Sequence, residues 1–515
     1  MASKSGDPSG LHVVVVGGGV AGLVSALELA NKGVKVTLLE RAAKVGGKMR
    51  QVEIDGQGID VGPTVLTMRW VFDNVFRDLG LSLEDHVKLV PAEVIGRHAW
   101  QDGARLDLFT DQERSARSIQ ELAGAKAAKG FRKFCDYAHK IYDATEQPFI
   151  LSQRPDFLSV VGKMGLKGMA KMTRIDMLRS MWKALGDFFK DQRLHQLFGR
   201  YATYYGSSPY MAPATLNLIA HVELQGVWLV DGGMIRLAET FAALGQERGV
   251  DIRCDAEVER LLVKDGEVRG VRLKDGEEVA ADAVVINADV AAVAKGHFGP
   301  EAAEHYRAPE VSERSLSALT LALNVRTKGF PLLRHNVFFS NNYEDEFERI
   351  FDQRVLPAQP TVYICAQDRD ASESVIDGPE RMFFILNAPA IGDQRELDAS
   401  EVKACTEQAF LVLNRCGLEV EQDSARIVTT TPNDFERSFP ATGGALYGSA
   451  THSWKGPMNR SAGRSPLPGL YMAGGSVHPG AGVPMVTMGG RLAAAAVLED
   501  RTTTGLPPVT VTSGR

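Results

Sequence analysis

The most constraining stretch of this sequence is LHVVVVGGGVAGLVSALELA, which occupies residues 11–30. Its β-branched run predicts a buried parallel strand, and the glycines that follow match the pattern G-x-G-x-x-G. In that pattern Gly17 allows a tight turn, Gly19 lets a pyrophosphate approach the backbone, and Gly22 lets helix and strand pack closely. The stretch therefore predicts a dinucleotide-binding site. The alternative is a purely structural turn in an α/β domain.

The next residues complete the dinucleotide-binding pattern. The helix AGLVSALELANKG is expected to end at Gly33, and VKVTLLE predicts a second strand that ends in Glu40. An acidic residue about 20 positions after the first glycines accepts hydrogen bonds from an adenosine ribose. Glu40 therefore favours a cofactor with an unphosphorylated ribose, either FAD or NAD rather than NADP.

The same apolar stretch raises the alternative of a leader peptide or a membrane anchor. Glycines interrupt it and Glu28 lies within it, and the preceding residues MASKSGDPSG lack the positive charge typical of a leader. We therefore expect no signal peptide. The formal net charge of −6 argues against general nucleic-acid binding, which requires a basic surface.

Five cysteines are widely separated and include no C-x-x-C pair. This spacing fits reduced thiols better than a disulfide framework or a zinc site, so no metal is expected. We expect all five to be small buried hydrophobic side chains: Cys135, Cys254, Cys365, Cys405 and Cys416.

Two glycine-rich segments favour FAD over NAD. The segment RAAKVGGKMR directly after Glu40 contains Arg41, Gly47 and Lys48, whose N–H groups and positive charge suit a doubly anionic cofactor. A solvated basic loop is the alternative. Residues 469–500 read as a strand, a glycine-rich loop and a helix with Pro484 in its first turn. The N-terminus of that helix would direct partial positive charge at a bound group.

Together these motifs resemble the flavoprotein group that contains amine oxidases, protoporphyrinogen oxidases and carotenoid desaturases. The resemblance implies an α/β fold with a Rossmann-like FAD-binding domain and an interleaved α+β substrate domain. A middle segment with a hairpin turning at Asp265-Gly266 fits this group. The resemblance implies that the Val258 backbone meets the adenine and that Asn287 lies near the cofactor. It implies further cofactor contacts at Thr64, Val65, Leu446, Gly475, Val483, Pro484 and Met485.

The segments that fit the FAD-binding pattern are separated by long stretches that do not, and this separation predicts the domain organisation. The predicted FAD-binding domain comprises residues 1–75, 226–300 and 436–505. The predicted substrate domain comprises residues 76–225 and 301–435, and residues 506–515 are expected to be a flexible tail. Within the substrate domain, NVFFSNNYEDEF and PTVYICAQD are expected to be strands of its sheet.

Within this group, HPGAGVP at residues 478–484 is similar to the C-terminal motif of carotenoid desaturases. Gly475 stands where many flavoproteins have an aspartate, and carotenoid desaturases share that departure. Amine oxidases have a different sequence here, usually with a cysteine for covalent flavin, so the resemblance implies noncovalent FAD. Residues 197–234, residues 60–76 and GGALYG look most like the 1-hydroxycarotenoid 3,4-desaturases, also called methoxyneurosporene dehydrogenases, of purple phototrophic bacteria.

This resemblance implies FAD-dependent desaturation of an acyclic 1-hydroxycarotenoid at the C-3,4 bond, in biosynthesis of the spheroidene and spirilloxanthin type. Flavin N5 would accept a hydride and the neighbouring carbon would lose a proton. Oxygen and a quinone both remain open as the electron acceptor. The alternatives are a phytoene or neurosporene desaturase and, more remotely, a nonenzymatic lipid-binding escort of small GTPases.

A carotenoid must be collected from a bilayer, so the resemblance also implies peripheral association with the cytoplasmic face of the inner membrane. Residues 159–186 combine apolar residues at helical spacing with a basic stripe, which predicts either a membrane-lying helix or a helix packed on the substrate domain.

Two further sites are considered for substrate chemistry. The segment GRYATYYG, with Arg200, Tyr201, Tyr204 and Tyr205, either lines the substrate channel and meets a terminal hydroxyl or packs with its polar tips at the surface. His478 is expected to order its loop by hydrogen bonding. No catalytic residue is assigned.

Overall fold

The computed structural model describes residues 10–153, 175–370, 376–422, 426–453, 456 and 460–501. Two sheets organise this part of the chain: a parallel sheet of five strands and a mixed sheet of seven strands. In chain order, the strands are β1 (His12–Val16), β2 (Lys35–Leu39), β3 (Gln51–Ile54), β4 (Gln57–Asp60), β5 (Leu89–Pro91), β6 (Val94–Ala99), β7 (Arg105–Phe109), β8 (Trp228–Val230), β9 (Asp251–Arg253), β10 (Val258–Lys264), β11 (Glu267–Leu273), β12 (Glu278–Ala280), β13 (Ala283–Ile286), β14 (Ser317–Val325), β15 (Thr327–Lys328), β16 (His335–Phe338), β17 (Val362–Ala366), β18 (Glu380–Ala388), β19 (Glu419–Val420), β20 (Ile427–Thr430) and β21 (Leu470–Met472).

Helices pack against both sheets and connect their strands. Short 3₁₀ turns at Leu83–Asp85, Arg200–Tyr205, Ala214–Asn217 and Val311–Glu313 and π turns at Glu146–Ile150 and Arg349–Gln353 supplement them. The α-helices of the described residues are α1 (Val20–Asn31), α2 (Arg69–Asp78), α3 (Gln112–Ala123), α4 (Ala125–Thr145), α5 (Met181–Leu185), α6 (Gln192–Gly199), α7 (Leu218–Leu224), α8 (Ile235–Glu247), α9 (Val290–Ala294), α10 (Pro300–Ala303), α11 (Tyr343–Glu348), α12 (Ala399–Arg415), α13 (Pro432–Ser438) and α14 (Val483–Arg501).

The parallel sheet has the strand order β21-β13-β1-β2-β9. Each of its strands comes from residues 1–75, 226–300 or 436–505, and the register pairs Val14 with Val284. Both faces of β1 are buried: Val13 packs on the side of the helices α1, α8 and α14, and Val14 packs on the side of the β10–β12 sheet. Burial on both faces explains why β1 is an unbroken apolar run rather than an alternating one.

Helices α1 and α14 are in unusually close contact. A Cβ on Gly490 would lie 2.4 Å from the carbonyl oxygen of Ala21, and the Ser25 hydroxyl donates to the Gly490 carbonyl at 2.9 Å. The buried Arg491 guanidinium binds the Glu28 carboxylate at 2.8 Å and also contacts Asp78. Burial raises the pKa of Glu28, and Arg491 partly offsets that effect.

The mixed sheet has the order β20-β14-β18-β17-β16-β6-β7, in which β16 and β6 are parallel. Strand β17 lies where PTVYICAQD predicts one. The strand predicted for NVFFSNNYEDEF is wrong in its second half, because β16 ends at Phe338 and α11 begins at Tyr343. Asn342 caps that helix by accepting a hydrogen bond from the Asp345 N–H, and acidic residues in the first turn favour it.

Much of the helix predicted at residues 159–186 lies outside the described residues. At its described end the prediction is wrong: residues 175–180 are irregular, Ser180 bridges to Pro213, and α5 spans only Met181–Leu185. None of the helices in the described ranges is long and apolar enough to cross a membrane. The predicted tail at 506–515 also lies outside those ranges.

All five cysteines are free thiols. Cys135, Cys365 and Cys405 are buried as predicted, whereas Cys254 and Cys416 are only half-buried, because each follows the end of a secondary-structure element near the surface. The described residues contain no cluster of three or more histidine, cysteine or acidic side chains placed to hold a metal ion.

Candidate functional site

A cavity of about 1690 Å³ lies between the two sheets. Its lining includes Gly17 and Gly19 after β1 and Gly474, Gly475 and Gly482 before α14, so the front and rear glycine-rich loops converge on one space. The volume exceeds the ~300–1,000 Å³ of a site for one drug-sized ligand. The cavity therefore has room for a dinucleotide and a second, long ligand.

The glycines after β1 meet the demands of close backbone packing. Gly17 has a φ of +99°, and a Cβ there would lie 2.7 Å from the Asn287 carbonyl oxygen. A Cβ on Gly22 would lie 2.1 Å from the Gly17 carbonyl oxygen, so Gly22 packs the turn and does not itself line the cavity. No side chain caps α1, which leaves its first-turn N–H groups free for an anion.

Glu40 lies at the carboxyl end of β2 and lines the cavity. Its carboxylate accepts hydrogen bonds from the Gly18 N–H at 2.6 Å and the Ala42 N–H at 2.8 Å. A carboxylate has about four acceptor sites, so two remain for a ligand hydroxyl. Glu40 therefore both orders the glycine-rich turn and retains capacity to bind a ribose.

The basic segment after Glu40 begins with four exposed residues, 41–44, and then contacts the rear of the chain. Lys48 Nζ donates to the Leu446 carbonyl oxygen at 2.6 Å and lies 5.1 Å from the centre of the Phe439 ring. Burial lowers the pKa of Lys48. Arg41 contacts the backbone of Ser438. Arg41, Gly47, Lys48 and Leu446 all line the cavity.

The middle segment joins the same site. Its hairpin turns at Asp265-Gly266 with φ values of +53° and +74°, as the sequence predicts. Asn287 follows β13 and its side chain donates to the Gly17 carbonyl oxygen at 3.2 Å, which brings this strand end against the glycine-rich turn. Val258, at the start of β10, lines the same cavity.

At the rear, α14 begins at Val483, and Gly475, Val483 and Pro484 line the cavity. The Met485 side chain does not line it, because it packs into the hydrophobic core with α1. His478 Nε2 donates to the Ser152 carbonyl oxygen at 2.9 Å, and burial lowers the pKa of His478 to about 4. A neutral, hydrogen-bonded histidine fits the predicted role of ordering the loop.

The deep part of the cavity lies on one face of the mixed sheet. Alternate residues of each strand point to one side, so every second position contributes. Thr64 and Val65 border this part from the loop before α2. The lining residues from the sheet and its strand ends are Ala318, Thr320, Val337, Thr361, Tyr363, Phe383, Ile385 and Asn387.

A chain of hydrogen bonds runs along this face. The Tyr363 hydroxyl lies 2.6 Å from the Thr64 hydroxyl and 2.8 Å from Nδ1 of His335. Burial lowers the pKa of His335 to about 3, so its imidazole is neutral. These hydrogen bonds fix the Tyr363 ring between the mixed sheet and the loop that contains Thr64.

The GRYATYYG segment supplies a polar cluster close to the mixed sheet. The Tyr201 hydroxyl donates to the buried Glu223 carboxylate at 2.6 Å, and the Tyr204 hydroxyl contacts its other oxygen. Arg200 lies over both rings, 5.6 and 5.4 Å from their centres. Arg200 and Tyr204 line the cavity, whereas Tyr201 and Tyr205 do not. The alternative prediction, that the hydroxyl groups of Tyr201 and Tyr204 lie at the protein surface, is wrong, because both hydroxyls bind the buried Glu223 carboxylate.

Sequence reasoning missed two buried acids beside the cavity. Glu223 lies within the apolar helix α7, and a lone acid in such a run is a usable signal. Glu346 gives no such signal, because it lies in the acidic segment YEDEFE, which is typical of a solvent-exposed helix surface. It is buried, accepts from Asn387 Nδ2 at 2.9 Å and from the Thr361 N–H at 3.0 Å, and burial raises its pKa to about 7.

Comparisons with known proteins show which family the chain resembles. Residues 20–498 match the family described as flavin containing amine oxidoreductase. The chain is 50% identical over 510 residues to hydroxyneurosporene desaturase of Rubrivivax gelatinosus, covering 99% of this chain and 97% of that protein. It is 41% identical to hydroxyneurosporene desaturase of Cereibacter sphaeroides, covering 95% and 97%. It is 32% identical to 4,4'-diapolycopene oxygenase of a Methylomonas species, covering 95% and 98%.

Solved structures share the fold at low sequence identity. An oxidoreductase from Methanosarcina mazei aligns with a TM-score of 0.61 at 14% identity, covering 95% of this chain and 100% of that one. Putrescine oxidase bound to putrescine aligns with a TM-score of 0.59 at 13% identity, covering 95% and 98%.

Proposed function

Because the chain belongs to the flavin containing amine oxidoreductase family and is a carotenoid desaturase within it, we propose that it uses noncovalent FAD to desaturate an acyclic 1-hydroxycarotenoid at the C-3,4 bond. The observation that carries the proposal is that the glycine-rich loops and one face of the mixed sheet line the same cavity. Carotenoid desaturation is part of carotenoid biosynthesis, and the proposed reaction is one step of that biosynthesis.

The residues present fit FAD. The uncapped N-terminus of α1 suits the pyrophosphate, and Glu40 suits an unphosphorylated ribose. Val258 and Asn287 line the stretch that we assign to the adenine and the adjoining part of the cofactor. The cysteine in the cavity lining is Cys254, which follows β9 near Glu40 and lies at the ribose end. That placement supports noncovalent attachment of the flavin ring. When bound, the flavin supplies the acceptor for the hydride that desaturation removes.

The deep part of the cavity fits a polyene. Its sheet face includes the half-buried Ile385 with the buried Val337 and Phe383 beside it, and apolar side chains are what an extended hydrocarbon chain requires. These side chains exclude water and hold the substrate against the loop of Thr64 and Val65. Loss of a hydride and then a proton from adjacent carbons needs little help from a strong base, because a cation spread over a polyene acidifies its neighbouring carbon. The residues therefore orient the substrate and keep the site dry.

The names of the relatives support an acyclic hydroxylated substrate, since two of them are hydroxyneurosporene desaturases. A carotenoid partitions into bilayers, so we also propose peripheral binding at the cytoplasmic face of the inner membrane. Oxygen and a quinone are the candidate electron acceptors. Turnover under argon with and without an added quinone separates them.

The test is product analysis with the flavin-loaded enzyme and liposomes that carry either 1-hydroxyneurosporene or phytoene. We expect the hydroxylated compound to lose two hydrogens at C-3,4 and phytoene to persist. Consumption of phytoene with the hydroxylated compound ignored would contradict the substrate assignment. A folded preparation without flavin absorbance would instead favour the lipid-binding escort.

A further inference from the structure

The cluster of Arg200, Tyr204 and Glu223 has a feature that packing alone does not explain. Nε of Arg200 is buried and has no hydrogen-bond partner among the described residues. A buried donor without a partner costs free energy, about 1–3 kcal/mol for a neutral group and more for a charged one. The Arg200 side chain lines the cavity that we assign to the substrate. Nε itself is shielded, but the side chain as a whole is only half-buried, so the part of Arg200 that faces the cavity is within reach of a ligand.

Arg200 remains a cation in this position. Burial opposes the charged form, but the Tyr204 and Glu223 oxygens outweigh it and the pKa of Arg200 is raised. The nearby histidines are neutral: burial first, and then the charge of Arg200, lowers the pKa of His98 to about 3. Burial lowers the pKa of His335 to about 3 as well, with Arg200 contributing. Arg334 also acts on His335, but it does not line the cavity, whereas Arg200 does.

The two tyrosines of the cluster differ in a useful way. Both hydroxyls contact the Glu223 carboxylate, but Tyr204 lines the cavity whereas Tyr201 is buried in the core behind it. Glu223 thus holds the Tyr204 ring beneath Arg200, and Arg200 adds a charged donor to a part of the cavity whose other lining side chains are neutral. A plain hydrocarbon would leave this donor without a partner.

We propose that the Arg200 guanidinium, supported by Tyr204, hydrogen-bonds the oxygen at the end of the carotenoid substrate and thereby selects hydroxylated over plain carotenes. This inference rests on the proposed function. The oxygen on C-1 is only two carbon–carbon bonds from C-3, so the group that holds it also sets which C–H bonds reach the flavin. Arg200 is close enough to Tyr363 to affect its pKa, and Tyr363 binds Thr64 in the loop assigned to the flavin.

The experiment measures kcat/KM for 1-hydroxyneurosporene and for neurosporene with flavin-loaded enzyme, and the preference is their ratio. We expect Arg200→Met to lower the preference about 10- to 100-fold, as loss of a hydrogen bond to a charged group does. Arg200→Lys retains a charged donor and should restore part of it. Tyr204→Phe should lower the preference by about 3- to 10-fold, and the matched control Tyr201→Phe should change it less than about 2-fold.

A second readout does not depend on turnover. Dissociation constants for both carotenoids are measured under argon on the dithionite-reduced enzyme, and Arg200→Met should weaken binding of the hydroxylated compound alone. Flavin absorbance and the unfolding temperature identify variants that fail to fold, in which case the two tyrosine variants decide the matter.

The outcomes separate the two proposals. A wild-type preference that survives in Arg200→Met, or equal effects of Tyr204→Phe and Tyr201→Phe, would overturn this inference and leave the proposed function intact. A wild-type enzyme that does not prefer the hydroxylated carotenoid would contradict the proposed function itself, and the role of Arg200 would fall with it.

Discussion

The two sheets that enclose the cavity are built under different constraints. Around the parallel sheet, the lining includes the backbone turn at Gly17, and Gly22 packs directly against that turn; at both positions a side chain would strike a carbonyl group. On the mixed sheet, the lining comes from side chains at every second strand position, such as Val337 and Ile385. The first surface is fixed by backbone contacts, whereas the second can be changed one side chain at a time without altering the strands.

This comparison predicts its largest effect at Gly22. Replacement by alanine places a Cβ about 2.1 Å from the Gly17 carbonyl oxygen, and a backbone atom cannot move aside cheaply. We expect Gly22→Ala to lower the free energy of unfolding by about 4 kcal/mol or more and to abolish flavin retention. Urea unfolding and flavin absorbance measure both effects.

Gly245 provides the matched control, because it lies inside α8 and its nearest neighbour would be a Val250 methyl group at 3.5 Å. Gly245→Ala should be neutral or stabilise the protein by up to about 1 kcal/mol. Equal destabilisation by the two variants would contradict the packing role of Gly22.

The second effect tests the mixed sheet. Ile385→Trp extends a large ring into the cavity, so we expect carotenoid turnover to fall about 100-fold while flavin content stays unchanged. Ile427→Trp, at an exposed position on β20 of the same sheet, should leave both quantities as they are. Loss of flavin from Ile385→Trp would show that the two surfaces are not separable in this way.

The third effect concerns the buried carboxyl group of Glu346, which binds Asn387 and Thr361 beside the cavity. Its folded-state pKa of about 7 lies above its ordinary value of 4.5. The favourable contribution of this group is therefore complete below about pH 4.5 and is lost as the pH rises through 7. Relative to Glu346→Gln, wild-type stability should fall by about 2–3 kcal/mol between pH 5 and pH 8.

Urea unfolding at several pH values measures this loss, and Glu344→Gln, at an exposed position of the same helix, is the control. A difference between wild type and Glu346→Gln that does not change with pH would exclude Glu346 as its source.

The smallest effect returns to the parallel sheet. Glu40→Gln keeps the side-chain shape but replaces one of the two oxygens that accept backbone N–H groups. We expect FAD affinity to fall about 10-fold, with little change in the substrate preference. Titration of the flavin-free protein with FAD measures the change, and Glu53→Gln in the exposed edge of β3 is the control. A larger effect on substrate preference than on FAD binding would contradict the assignment of Glu40 to the cofactor part of the cavity.

The same contrast explains what the sequence could predict. The turn after β1, the end of α1 near Gly33, the hairpin at Asp265-Gly266 and the start of α14 each require a particular residue type for a local backbone reason. The pattern of glycines and the position of Glu40 therefore carried enough information to locate this part of the cavity from residues far apart in the chain.

The substrate side could not be predicted in the same way. Burial of Glu223 depends on two tyrosines that approach it from another segment, and burial of Glu346 depends on Asn387 and the Thr361 backbone. The irregular backbone at residues 175–180 likewise depends on the bridge from Ser180 to Pro213. None of these partners is close in sequence, so hydrophobic periodicity and local secondary-structure preference could not predict these contacts.

The contact between α1 and α14 has a consequence for how this chain is made. Ser25 meets Gly490 across 465 residues of sequence, and the buried Glu28 carboxylate meets Arg491 across 463. At ribosomal rates of ~5–20 residues per second, the first βα unit waits about 25–90 s for the helix that completes its packing. During that interval its apolar surface is exposed to the cell. Newborn chains of this protein should therefore depend on chaperones, and stop codons even close to the 3′ end of the message should leave the earliest-synthesised segment without its partner.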